Sequence, residues 1–238
     1  NAFQLEICVD SLESIQNALE GGADRLELCN ALSEGGLTPS FGLARLAKRI
    51  STIPVFAMIR IRGGDFVYES DELDAMLEDL KLLKTIGIDG FVFGALTNTR
   101  QLDIPACKKI IEASDPLPVT FHRAFDDVDD PMQALDKIHE LGFSRILTSG
   151  QSKSAVEGVD LIAKLIEQAN YKIIIMPGAG INESNILSIK VKSSATEFHG
   201  SAKKIKKDVD FRIGNSNGLG VTNAETVKLM VKALKGGP

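Results

Sequence analysis

Tryptophan is absent from these 238 residues, tyrosine occurs twice, and histidine and cysteine occur three times each. Three cysteines are too few, and odd in number, for a disulfide framework, which favours a reducing compartment. No apolar run approaches the roughly 20 residues that span a bilayer, so no membrane partner is expected. Basic residues are in the minority, 27 against 32 acidic, for a net charge of -5. A general nucleic-acid binder normally shows a basic face, so nucleic acid is not expected as a partner either. The one local exception is Lys203-Lys204 with Lys206-Lys207, which reads most simply as a solvated loop. No basic patch followed by an apolar stretch opens the chain, so no secretory leader is expected. The chain starts without Met, and a trimmed amino end stays open.

What is there is the composition of a globular α/β protein, 44% hydrophobic and 25% charged. The chain is organised around a repeat near its start, Leu5-Glu6-Ile7-Cys8-Val9 and Leu26-Glu27-Leu28-Cys29, with a helical segment between the copies. Side chains alternate across a strand, so Glu6 shares a face with Cys8, and Glu27 with Cys29. An ordinary core strand has no use for a carboxylate and a thiol on one face, because an unpaired buried carboxylate costs several kcal/mol. If the two strands are neighbours, two Glu and two Cys converge on one space.

The rest of the chain keeps that rhythm. After strands ending near Asp10 and at 25–29, further strands are expected at 55–61, 91–94, 118–122, 145–148, 172–176 and 195–199, each followed by a helical pattern. A polar loop is expected from about residue 200 to 220, then a last helix over 224–234. About eight β–α units with no composition break predict one domain, 1–238, folded as a closed (β/α)₈ TIM barrel of the α/β class. An open doubly wound sheet is the alternative.

Barrel enzymes carry their sites at the carboxyl ends of the strands. Those ends hold Glu6, Cys8, Glu27, Cys29, Arg60, Arg62, His122, Gly178 to Gly180, and His199. Adjacent Glu6 and Glu27 would repel unless a cation lies between them or one is protonated, and Arg60 or His122 could pair with either. They read as an acid/base set, with His122, or as a polar network that holds the barrel together. Soft thiols suit Cu(I), whereas two are too few for a closed zinc site; the plainer reading is a pair of small interior side chains. His199 could be a base, a ligand or a hydrogen-bonded barrel residue. Pro177-Gly178-Ala179-Gly180 after the seventh strand could cradle a small anionic ligand with its N–H groups, helped by the start of the next helix, or could be only a tight turn. Cys107 reads as helix packing and His139 as surface.

Several motifs together resemble one family: Gly21-Gly-Ala-Asp-Arg-Leu-Glu-Leu-Cys29 with Ser33-Glu-Gly-Gly-Leu-Thr-Pro-Ser40, Met58-Ile-Arg60, Arg62-Gly-Gly-Asp65, Gly90-Phe-Val-Phe-Gly-Ala95, Pro118-Val-Thr-Phe-His-Arg-Ala-Phe-Asp126, Leu147-Thr-Ser-Gly150, Pro177-Gly-Ala-Gly-Ile181 and Glu197-Phe-His199. They are similar to the copper homeostasis protein CutC family over nearly the whole chain. The resemblance implies a (β/α)₈ barrel, a cytoplasmic location (also nuclear in eukaryotes), a dimer or tetramer, and copper handling. In animal members the two strand-end thiols are proposed Cu(I) ligands, which fall here on Cys8 and Cys29, with one Cu(I) expected per chain. Where some members carry a Cys after the strand-eight His, this chain has Gly200. Copper homeostasis through Cys8 and Cys29 is the first expectation. The second is a lyase- or isomerase-like enzyme on a small phosphorylated or carboxylated substrate, with Glu6, Glu27 and His122 catalytic and Arg60 and Arg62 clamping the anion. A third is a scaffold whose barrel is a relic.

Overall fold

The structure, a computed structural model, describes residues 3–206 and 218–236. Eight units alternate: β1 (Gln4–Val9), α1 (Leu12–Gly21), β2 (Arg25–Leu28), α2 (Phe41–Ile50), β3 (Val55–Met58), α3 (Ser70–Lys84), β4 (Gly90–Phe93) and α4 (Ile104–Ser114) form the first half. The second half is β5 (Val119–Phe121), α5 (Pro131–Leu141), β6 (Arg145–Thr148), α6 (Val159–Ala169), β7 (Ile174–Pro177), α7 (Ile186–Ser193) and β8 (Glu197–Gly200). A pair of strands, β9 (Lys203–Lys206) and β10 (Leu219–Thr222), precedes α8 (Ala224–Lys235). The eight strands are parallel, ordered β7-β6-β5-β4-β3-β2-β1-β8, and β7 and β8 lie against one another to round the sheet into the barrel. None of the described helices is long and apolar enough to cross a membrane.

Local chemistry sets the boundaries. Ser11 caps α1 by accepting from Ser14 N, and Gly22 ends it in the left-handed region at φ 88°. Asp103 and Asp130 cap α4 and α5, each with Pro in the first turn. The strands alternate as the sequence predicts: Leu5, Ile7, Val9, Leu26 and Leu28 pack in the layer between sheet and helices, while Cys29, Phe56, Met58 and Val92 form a separate apolar cluster.

Three expectations shift. β3 stops at Met58, because the loop after β2 takes over its pairing: Thr38 N donates to Arg60 O and Arg60 N to Thr38 Oγ1. The helix expected directly after the Pro177–Gly180 turn starts only at Ile186, since the Asn182 and Asn185 side chains first hold a turn, Asn182 N donating to Asn185 Oδ1 and Ser184 N to Asn182 Oδ1. The loop expected after residue 200 opens and closes with the antiparallel strands β9 and β10, so Lys203, Lys204 and Lys206 are exposed strand residues; Lys207 lies outside the described residues.

Gly90 shows how tightly the interior is filled: a Cβ there would sit 2.6 Å from the Phe56 ring. That ring in turn carries the guanidinium groups of Arg25 and Arg145 at 5.0 and 5.5 Å. Gly90→Ala is therefore expected to overpack the barrel and cost about 1–3 kcal/mol. Chemical denaturation of the variant measures this; unchanged stability would mean that Phe56 is free to move.

Candidate functional site

The inner face of β1, β2 and β8 carries a buried ion network. Glu6 is wholly buried, and its Cα partners are Arg25 on β2 and His199 on β8. Arg25 Nε donates to Glu6 Oε2 at 2.5 Å, and His199 Nδ1 lies 2.7 Å from Glu6 Oε1. Arg25 Nη2 also donates to Glu197 Oε2 at 2.7 Å, and Arg145 grips both oxygens of Glu197 from β6 at 2.6 and 3.1 Å. Burial works against the charge on Glu6, but Arg25 and the His199 hydrogen bond overcome it and hold the carboxyl well below its usual range. Glu197 is lowered in the same way by Arg145 and Arg25 against its burial. Burial also opposes protonation of His199, yet Glu27 first, then Cys8 and the Glu6 hydrogen bond, hold it well above its usual value.

Arg25, Arg145 and Glu197 were not among the residues singled out in the sequence, and Arg60 and His122 do not pair with Glu6 or Glu27. The partners are Arg25 and His199. Arg25 could have been found, since it is in phase with Glu27 and Cys29 on the same strand.

Above this network a cavity of about 430 Å³ opens at the carboxyl ends of the strands, lined among others by Cys8, Glu27, Arg60, His122, Gly180 and His199. Its volume lies in the range of small-molecule sites. Glu27 sits opposite Cys8 in the β1–β2 register. Its Oε1 accepts from Cys29 Sγ at 3.4 Å, while Oε2 is buried with no partner. Burial is the main force on Glu27 and raises its carboxyl above the usual value. Cys8 Sγ donates to Gly200 O at 3.6 Å. The thiol of Cys29 is pushed well up by burial and then by Glu27. Cys107, far away in α4, is pushed up to about 12 by burial.

His122 caps the short helical turn after β5: its Nδ1 accepts from Ala124 N at 3.1 Å. The ring proton therefore sits on Nε2, which is buried with no partner. Burial first, and Arg60 second, push His122 down to about 3, so the ring is neutral. Gly94 makes room for it, since a Cβ there would lie 2.6 Å from the ring. Arg60 gives Nη1 to Glu34 O and Gly36 O and Nη2 to Gly64 O, leaving Nε buried and unpartnered.

Two expected anion groups lie elsewhere. Arg62 is outside the cavity lining, with its guanidinium spent on Glu72, Asp65 and Val67 O. Gly178 N donates to Thr148 O, and its missing Cβ is required by Leu147, 2.5 Å from where it would be. Ala179 and Gly180 do line the cavity, but α7 starts six residues after Gly180, so no helix N-terminus backs this turn.

A model of the CutC family matches residues 3–204. The chain belongs to the CutC family. It is 52% identical over 217 residues to the human copper homeostasis protein cutC homolog, covering 91% of this chain and 79% of that protein. A CutC family protein of Parabacteroides distasonis is 48% identical, covering 84% and 83%. The crystal structure of CutC from Streptococcus agalactiae superposes with a TM-score of 0.80 at 34% identity, covering 84% of this chain and 98% of that one. Phosphoribosylanthranilate isomerase of Thermotoga maritima, at 15% identity, a TM-score of 0.61 and coverage of 98% and 99%, shares the fold.

The ion network makes stability depend on pH. Glu6 and Glu197 are lowered, so what they contribute is present above about pH 4.5 and lost as the pH falls through their folded values. His199 is raised, so its contribution is full below about pH 6.5 and lost as the pH climbs through its folded value. Urea midpoints across pH should thus fall on the acid side, and Glu6→Gln should flatten that limb; a limb as steep as wild type would remove Glu6 from the account. Arg25→Met leaves two buried carboxylates short of a partner and is expected to cost about 3–5 kcal/mol in the same assay.

Proposed function

We propose that this member of the CutC family binds Cu(I) as cargo through Cys8 and Cys29, one ion per chain, and serves copper homeostasis. The observation that carries the reading is that Cys8 on β1 and Cys29, one residue past the end of β2, are in phase with the inward-facing Glu6 and Glu27, with Cys29 donating its S–H to Glu27. Two soft sulfurs at adjacent strand ends fit an ion that accepts low coordination. Metal takes thiolate, so each thiol must release its proton. Glu27 Oε1 already holds the Cys29 proton in a hydrogen bond and is the acceptor nearest to hand. The names of the human and mouse relatives, copper homeostasis protein cutC homolog, support the copper assignment.

A harder, oxygen-rich metal site is less well served. Ligand atoms of Glu6, Glu27 and His199 lie within 4.8 Å of one another. Yet both Glu6 oxygens and His199 Nδ1 are already committed to buried partners. A divalent ion would have to displace Arg25 or His199 from Glu6, each of which stabilises the barrel.

Competition against a Cu(I) chelator tests the proposal. Wild type is expected to take up about one equivalent. Cys8→Ser with Cys29→Ser is expected to lose it, and Cys107→Ser, whose thiol is buried in α4, to keep it. Equal affinity in the double variant would end the proposal.

A further inference from the structure

The mouth of the barrel holds two buried hydrogen-bond donors that copper binding does not use. Arg60 Nε and His122 Nε2 are both buried, both without a partner, and both belong to residues lining the same cavity. Arg60 and His122 are 5% and 4% exposed. They flank one ring: Phe66 lies 4.9 Å from the Arg60 guanidinium carbon and 4.9 Å from the His122 ring centre. An unmade buried hydrogen bond costs the full desolvation of the group, and native proteins rarely leave two in the lining of one cavity.

The chemistry of the pair specifies what satisfies it. Both atoms are N–H donors. His122 cannot offer an acceptor there, because its Nδ1 is occupied by Ala124 N. Arg60 brings a full positive charge that its three partners, all backbone carbonyls, do not neutralise. A neutral donor beside an unneutralised cation calls for an oxyanion.

We infer that the cavity is a binding site for a small organic acid, whose carboxylate or phosphate oxygen accepts from Arg60 Nε and His122 Nε2. The opposite rim carries further donors: the N–H groups of Ala179, Gly180 and Ile181 have no acceptor among the described residues, and all three residues line the cavity. A ligand with oxyanions at both ends reaches both rims, so the class is a dicarboxylate or a phosphorylated acid rather than a lone inorganic anion. This goes beyond copper binding and does not rest on it.

Calorimetric titration of the full chain, metal-free and without copper, tests the site with malate, 3-phosphoglycerate and inorganic phosphate as probes. His122→Asn keeps an oxygen where Nδ1 caps Ala124 but removes the Nε2 donor; His122→Gln restores an N–H near Nε2. Arg60 is a poorer target, because its removal also frees the loops it holds. The expected result is that malate or 3-phosphoglycerate binds wild type more tightly than phosphate does. His122→Asn then weakens that ligand about tenfold, and His122→Gln recovers most of the loss. Binding of none of the three probes, or an affinity in His122→Asn equal to wild type, overturns the inference. Because copper is absent throughout, failure here leaves the Cu(I) titration untouched, and failure there leaves this one untouched.

Discussion

The interior of this barrel depends on how the wholly buried Glu6 carboxylate is held. A lone carboxylate in that position would neutralise itself or expel the strand from the core. Here one oxygen is taken by Arg25 and the other by His199, and Arg25 passes the connection through Glu197 to Arg145. Four strands, β1, β2, β6 and β8, are thereby cross-linked through the lumen. The register of β1 is set on both sides by the same residue, since Glu6 is the Cα partner of Arg25 and of His199. Slipping either pair by one residue would turn a charged side chain into the apolar layer under the helices, where nothing could pair with it. Such a network need not raise stability above that of an apolar filling. It does make alternative registers expensive.

The same network divides the lumen into a floor and a mouth. On the floor every charge has a partner, so its groups are unavailable for chemistry. Among the described residues the buried side-chain atoms without a partner are Glu27 Oε2, Arg60 Nε, His122 Nε2 and Tyr68 Oη; the first three belong to residues of the cavity lining, with Cys8 beside them. Sites are expected where polar groups are buried before their partners arrive, because a preorganised donor costs nothing further to desolvate when the ligand binds. That the unpartnered atoms cluster at the carboxyl ends of the strands agrees with where barrels of this class place their chemistry.

Much of the fold was legible because it is periodic. The alternation in Leu5-Glu6-Ile7-Cys8-Val9 puts Glu and Cys on one face, opposite the apolar side chains, and the βα rhythm implies the barrel. What was not legible is pairing across the chain. Glu197 and Arg145 are 52 residues apart, and nothing local announces that they meet. Arg60 looked like the natural partner of the glutamates because it stands at a strand end, but the loop after β2 folds over and captures its guanidinium with Glu34 O and Gly36 O. Loop capture of this kind depends on conformations such as the left-handed Gly35 and Gly36, which a pattern of apolar residues does not encode. Arg62 was diverted in the same way by Glu72 on α3.

Charge on the floor also bears on what the mouth can hold. Arg25, Arg145 and His199 contribute three positive charges, Glu6 and Glu197 two negative ones, which leaves one positive charge in excess. An ionised Glu27 would balance that excess, yet burial raises its carboxyl toward the neutral form. A bis-thiolate complex of Cu(I) carries one negative charge. If an ionised Glu27 takes the proton that Cys29 gives up, and the Cys8 proton leaves to solvent as Cu(I) enters, the carboxyl becomes neutral as the thiolate complex becomes negative, and the sum over floor and mouth is the same before and after metal binding. In a poorly screened interior, where adding an uncompensated charge costs several kcal/mol, an exchange that moves charge from oxygen to sulfur without changing its total is the one this arrangement resists least. The hydrogen bond from Cys29 Sγ to Glu27 Oε1 is the path along which that exchange would run.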